Sequence, residues 1–185
     1  MLRNVDRLRL CGAALSALLL GASTSSLSQT QAGAVAASGS EEIAALKADN
    51  ERLKSLIPSQ SHAMMDVAYH FTNLWAAAKH ANWPLAQFYF NETRSHLRWA
   101  IRIVPVRHVA AGDLKLEDVF AGFDTELLGA LQKQITAKDR KGFEVAYRGA
   151  LGGCNGCHTA AEKPFLRVQV PDQQEARIID FNPPR

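Results

Sequence analysis

From Gln60 to Ala160 the chain repeats its apolar residues every third or fourth position through four stretches of similar length, a period that admits little besides packed helices. In the first stretch, 60 to 81, Met64, Val67, Ala68, Phe71, Leu74, Trp75 and Ala78 share one face. The second, 84 to 104, opens on Pro84, whose missing N–H costs little in a first helical turn. The third, 114 to 136, carries Val119, Phe120, Phe123, Leu127, Leu131 and Ile135 on a stripe that Gly122 and Gly129 weaken. Asp139 caps the fourth, 139 to 160. No strand-like alternation breaks the series. Links of a few residues make the first and second, and the third and fourth, antiparallel pairs, while 105 to 113 forms a longer connection. The expected fold is all-α, an up-down-up-down four-helix bundle.

Both flanks read differently. Arg3, Arg7 and Arg9 precede an apolar run from Leu10 to Ala22, and a small-residue site follows at Ala34-Val35-Ala36, so residues 1–36 have the layout of a secretory signal peptide. The run is shorter than the roughly 20 residues a membrane span needs, which puts a retained anchor second to cleavage and a periplasmic or otherwise exported location first. Cleavage removes three arginines and Asp6, lowering the formal net charge from +3 to +1, so the sequence pI of 8.9 is no argument for a nucleic-acid partner. Cys11 leaves as well, and Cys154 and Cys157 remain as the only cysteines of the mature chain.

Residues 37–59 read as a small-residue linker and a helix capped by Ser40. Ile43, Leu46, Asn50, Leu53 and Ile57 follow a heptad pattern there, suited to a homodimer through 41–57, to docking on the chain's own domain, or to a tethering stalk. At the other end Pro164, Pro171, Pro183 and Pro184 exclude a long helix. Residues 166–185 are expected as an extended tail covering a helical domain of residues 60–165.

The densest chemistry is "GGCNGCHTA", residues 152–160. Phe143, Ala146, Tyr147, Ala150, Cys154, Cys157 and His158 fall on one face of the fourth helix, so both sulfurs and the imidazole point where the core residues point. Two thiols one turn apart can each add to a vinyl group of one haem, with the adjacent histidine reaching the iron from the same side. That is the physical content of C-x-x-C-H, and an exported chain is its usual setting. A redox dithiol wants a helix N-terminus and a βαβ context, a structural zinc site wants four ligands, and a plain disulfide leaves His158 without a role. The sequence thus predicts one covalent haem c, held by Cys154 and Cys157, with His158 on the iron.

A four-helix domain with "CNGCH" near the end of its fourth helix resembles the class II c-type cytochromes, the cytochrome c prime group, over residues 60–160. "MMDVAYHFTNLW" and "NWPLAQFYFNETRSHLRWA" also look like stretches of uncharacterised exported cytochrome-like proteins. The resemblance implies that His158 is the proximal ligand. It further implies that the opposite face of the iron is either open, for a gas, or filled by a methionine from the first helix, for electron transfer. Met64 is the candidate there, Met65 and His70 are the alternatives, and Phe71 and Tyr147 are candidates for packing against the haem.

In the second helix Leu85, Phe88, Tyr89, Glu92, His96, Trp99 and Ile103 share a face, which sets Glu92 and His96 four apart among aromatics. They read as a buried polar pair, or as a polar couple beside the haem. Arg94, Arg98 and Arg102 form a row, read as a solvated face or a surface for an acidic redox partner. The function expected is a monohaem electron carrier with no catalytic residue, working with redox partner proteins. The alternatives are a five-coordinate protein binding nitric oxide or carbon monoxide, and a haem-free helical interaction protein.

Overall fold

The structure is a computed structural model that describes the backbone from Gly21 and side chains from Ser38 to Pro184. The start of the expected export segment lies outside the described residues. No helix among the described residues is long and apolar enough to cross a membrane. The chain divides after Leu56 into two compact units, and it is predominantly helical.

The first unit contributes one helix, α1, Gly21–Leu56. It runs through residues 37–40, so the expected linker and Ser40 cap are replaced by continuous helix. Residues 37–40, Ala-Ser-Gly-Ser, contain no proline, and a helix already nucleated on both sides extends through them despite Gly39. Ile43, Leu46 and Leu53 of the heptad stripe are exposed.

The second unit opens with α2, Gln60–Lys79, whose first turn is capped by Ser59 accepting from the His62 amide. Ala81, in the left-handed region at φ 57°, turns the chain, and Asn82 caps α3, Trp83–Ile103, by accepting from the Leu85 amide. The connection expected to be a plain loop is a hairpin instead. Strand β1, Val106–Val109, pairs antiparallel with β2, Gly112–Lys115, and Gly112 at φ 120° closes the turn beside Ala110 and Ala111. Four-residue strands are too short to show an alternation that stands out from a helical background, which hid them from the sequence.

The third expected helix begins at Leu116 and changes pitch midway. Helix α4, Leu116–Gly122, passes into a π-helical segment, Phe123–Leu128, and then into α5, Gly129–Ala137. The Gly129 amide reaches back to the Asp124 carbonyl, five residues earlier. A π turn holds an additional residue and shifts the phase of everything beyond it. The buried stripe accordingly runs Phe120, Leu128, Leu131, Ile135, and Leu127 is displaced to the side. Lys138, also left-handed, ends α5, and Asp139 caps α6, Arg140–Ala160, by accepting from the Lys141 and Gly142 amides.

Ring contacts and hydrogen bonds define the neighbours. Phe71 stacks on Tyr147 at 4.3 Å and Trp75 tilts against Phe143 at 6.1 Å, so α2 and α6 run in opposite directions. Gln87 and Gln132 exchange amide hydrogen bonds between α3 and α5. A Cβ on Gly153 of α6 would collide with Leu127 and, at 2.8 Å, with the ring of Phe123, so glycine there admits the π-helical segment. The core is apolar around Leu74, Leu128, Leu131, Phe143 and Tyr147.

The arginine row keeps its solvated face, with Arg98 and Arg102 exposed and Arg94 partly so, but two of its members are engaged in ion pairs. Arg94 grips Asp124 through both carboxylate oxygens at 2.5 and 2.7 Å, and Arg98 adds a third hydrogen bond at 2.8 Å, while Arg102 stays exposed. Hydrogen bonds from Arg94, supported by Arg98, hold the Asp124 carboxyl below its ordinary pKa. Because the folded chain binds this proton less readily than the unfolded one, the clamp stabilises fully above about pH 4 and is lost as the pH falls through the depressed native value. Asp124→Asn should therefore cost roughly 1–2 kcal/mol in urea unfolding at pH 7, with the two proteins converging toward pH 2. Equal stability at pH 7 would show that the clamp contributes nothing.

Candidate functional site

The far end of α6 carries the cysteines, and three features of the chain shape it. Gly153 thins the helix just before Cys154, which lets Phe123 and Leu127 press against it. Beyond Ala160 the backbone turns at Glu162, φ 57°, and the Lys163 amide donates to the His158 carbonyl at 2.8 Å. The tail then folds back along the helix. Asn155, one of the two residues between the cysteines, clamps it with both ends of its amide: Oδ1 accepts from the Val168 amide at 2.9 Å and Nδ2 donates to the Val168 carbonyl at 3.2 Å.

Cys154 and Cys157 are half-buried, are not joined to each other, and stand one turn apart on the same face. Burial pushes the Cys154 thiol up to about 12, with the neighbouring Cys157 thiol adding to the effect, and burial raises Cys157 as well. A dithiol tuned for disulfide exchange has the opposite bias. His158 Nδ1 lies 2.7 Å from the Leu166 carbonyl. A carbonyl can only accept, so in the neutral ring Nδ1 carries the proton and the Nε2 lone pair is free to bind a metal. A backbone carbonyl holding the remote nitrogen is the usual support for a ligating histidine.

Of the residues proposed for the other face of such a metal, Met64 is half-buried in the second turn of α2, and Met65, next to it, is 66% exposed. The α2–α6 register bears directly on Met64. Phe71 meets Tyr147, and two turns before Phe71 and two turns after Tyr147 the chain reaches Met64 and Cys154, each on the same helical face as its starting residue. His70 faces elsewhere: its ring lies 4.7 Å from His96 and 6.0 Å from Tyr89, both on α3. Phe71 and Tyr147 are buried against each other, and the Tyr147 hydroxyl donates to the Phe71 carbonyl at 2.9 Å. Burial raises the pKa of that hydroxyl, which remains a donor.

The hairpin and the tail complete this end. Arg107 of β1 donates to the Gln60 side chain at the start of α2, and the Ala110 amide donates to Glu162, just past α6, at 2.6 Å. Further along the tail, Asn73 Oδ1 accepts from the amides of Glu175 and Ala176, both at 3.0 Å, and Phe181 stacks on Tyr89. Sequence reasoning passes over Asn73, Asn155 and the Leu166 carbonyl. None of them lies on an apolar stripe read from spacing, so the sequence holds no signal for them.

Glu92 and His96 do come together, and with His70 rather than with the cysteines. Phe88, placed on the same face, is exposed.

No known protein family, curated protein or solved structure matches this chain. Its own side chains are therefore the ground for a functional reading.

Asn155→Ala should release the tail from α6 at a cost of about 1–2 kcal/mol. Hydrogen exchange at the Val168 amide should accelerate at least about tenfold while amides of α3 keep their protection. An unchanged Val168 rate would remove Asn155 as the clamp.

Proposed function

We propose that the chain is an exported monohaem c-type cytochrome that carries single electrons, built as an up-down-up-down four-helix bundle and similar in design to class II cytochromes. One observation carries the reading: His158 follows the cysteine pair with its Nδ1 committed to the Leu166 carbonyl, which leaves Nε2 free beside two half-buried thiols one turn apart. This donor set fits haem c. Each S–H adds across one vinyl C=C of the porphyrin, sulfur to one carbon and hydrogen to the other, and no oxidant is consumed. The antiparallel contacts between α2 and α6, and the glutamine exchange between α3 and α5, support the bundle.

Bound there, the iron supplies a reversible one-electron change, with a potential raised by histidine–methionine ligation relative to two histidines. The remaining contributions are the chain's own. Cys154 and Cys157 fix position, and His158 is kept from rotating by Leu166. Asn155 keeps the tail folded over that side, limiting water. Met64 is the sixth ligand that the α2–α6 register favours. No side chain needs to donate or accept a proton, so no catalytic residue is assigned. The exposed stripe Ile43, Leu46 and Leu53 supports a homodimer through 41–57, and redox partner proteins complete the role.

Protein made with a cytochrome maturation system should carry one haem by intact mass, and its dithionite-reduced spectrum should show sharp low-spin bands that ignore carbon monoxide. Met64→Ala should open the iron to that gas. A broad spectrum in the parent protein that shifts with carbon monoxide would make gas binding the function and remove Met64 as a ligand. Absence of covalent haem would overturn the reading and favour a haem-free interaction protein.

A further inference from the structure

On the side of α2 turned toward α3, a second donor set converges. One ligand atom from each of His70, Glu92 and His96 lies within 4.8 Å of the others. His96 Nδ1 lies 2.9 Å from the Glu92 backbone carbonyl, so it carries the proton of the neutral ring and Nε2 is free. Asp66, one turn before His70, brings a carboxylate oxygen to 3.9 Å from that Nε2.

Hydrogen bonding alone leaves this cluster incomplete. His70 Nδ1 is buried without a partner, a cost that native interiors rarely leave uncompensated. The two imidazole centroids lie 4.7 Å apart with planes tilted by 35°, close enough for a nitrogen of each ring to reach one ion. Tyr69 and Trp99 flank the rings edge-on, which restrains their rotation.

We propose that His70, Glu92 and His96 bind one first-row divalent cation of the Zn2+ class at the α2–α3 interface, with Asp66 as a fourth ligand or as the group that orients a bound water. Two imidazoles and one carboxylate form a donor set that such ions accept, whereas Ca2+ and Mg2+ select all-oxygen sites. Ligand atoms around a tetrahedral ion stand about 3.3 Å apart, so binding draws the three inward by roughly an ångström of side-chain rotation. The site is open to its ion: Asp66 and Glu92 are partly exposed, while His70 and His96 lie deeper. It uses none of Cys154, Cys157, His158 and Met64, so it stands or falls separately from the proposed haem site.

The test is calorimetric titration of tag-free, EDTA-dialysed full-length protein with Zn2+, after free thiols have been blocked with N-ethylmaleimide so that Cys154 and Cys157 cannot contribute. One ion per chain is expected, with a Kd in the micromolar range or below. His70→Ala and His96→Ala should each weaken it at least about tenfold. Mg2+ should neither bind nor compete. Helical circular dichroism in EDTA checks each variant's fold, and His70→Gln and His96→Gln replace any alanine variant that loses helicity. Absence of Zn2+ binding, or binding that survives both histidine substitutions, would overturn the proposal.

Discussion

The stack of Phe71 on Tyr147, closed by the hydrogen bond from the Tyr147 hydroxyl to the Phe71 carbonyl, fixes how α2 lies against α6. Sliding either helix by one turn would strand a buried phenol, at a cost of about 1–3 kcal/mol, and would also pull the stacked rings away from each other. Trp75 against Phe143 and Tyr147 repeats the constraint one turn further along. The functional consequence appears at the other end of the same two helices. By helical spacing Met64 and Cys154 each stand two turns from that stack, so core packing is what would position the proposed sixth ligand.

A second constraint comes from the π-helical segment. Its wide turn rotates Asp124 toward α3, where Arg94 and Arg98 hold it, and lays Phe123 and Leu127 against the bare backbone of Gly153. One local irregularity therefore binds α3 and α6 at once, immediately before the first cysteine. π turns recur where function demands a side chain that regular helix would misplace. Here the displaced side chains are those that let α6 approach closely just before Cys154.

Much of this was legible in the sequence because helical periodicity is a strong signal when sustained for twenty residues. The approximate limits of α2, α3 and α6, the cap at Asp139, and the common face of Cys154, Cys157 and His158 all follow from spacing and residue type, whereas the cap at Asn82 comes from the structure. The features that spacing could not reveal have specific physical causes. The π turn shifts phase without leaving a distinctive residue behind, so Leu127 was expected where Leu128 is buried. The hairpin is too short to be periodic. The ion pairs of Arg94 and Arg98 escaped the reading of a solvated row because their partner, Asp124, lies on another helical segment some thirty residues away. The support of His158 was invisible for a further reason: it comes from a backbone carbonyl, which every residue has.

Helix α2 ties the two proposed sites together. Consecutive residues on a helix point about 100° apart. Phe71 turns to α6 and the thiol end, and His70 turns to α3 and the second donor set. The aromatic stack holds one flank of α2 by uncharged groups whose hydrogen bonding is complete, whereas the other flank leaves a buried nitrogen unsatisfied. The α6 flank thus has its register set without any ligand, which would suit the proposed electron carrier. The α3 flank is the one an ion would tighten. A cation bound there would restrain α2 from the side opposite Tyr147, and so would reach the proposed Met64 position through the helix itself rather than through any contact between the two sites.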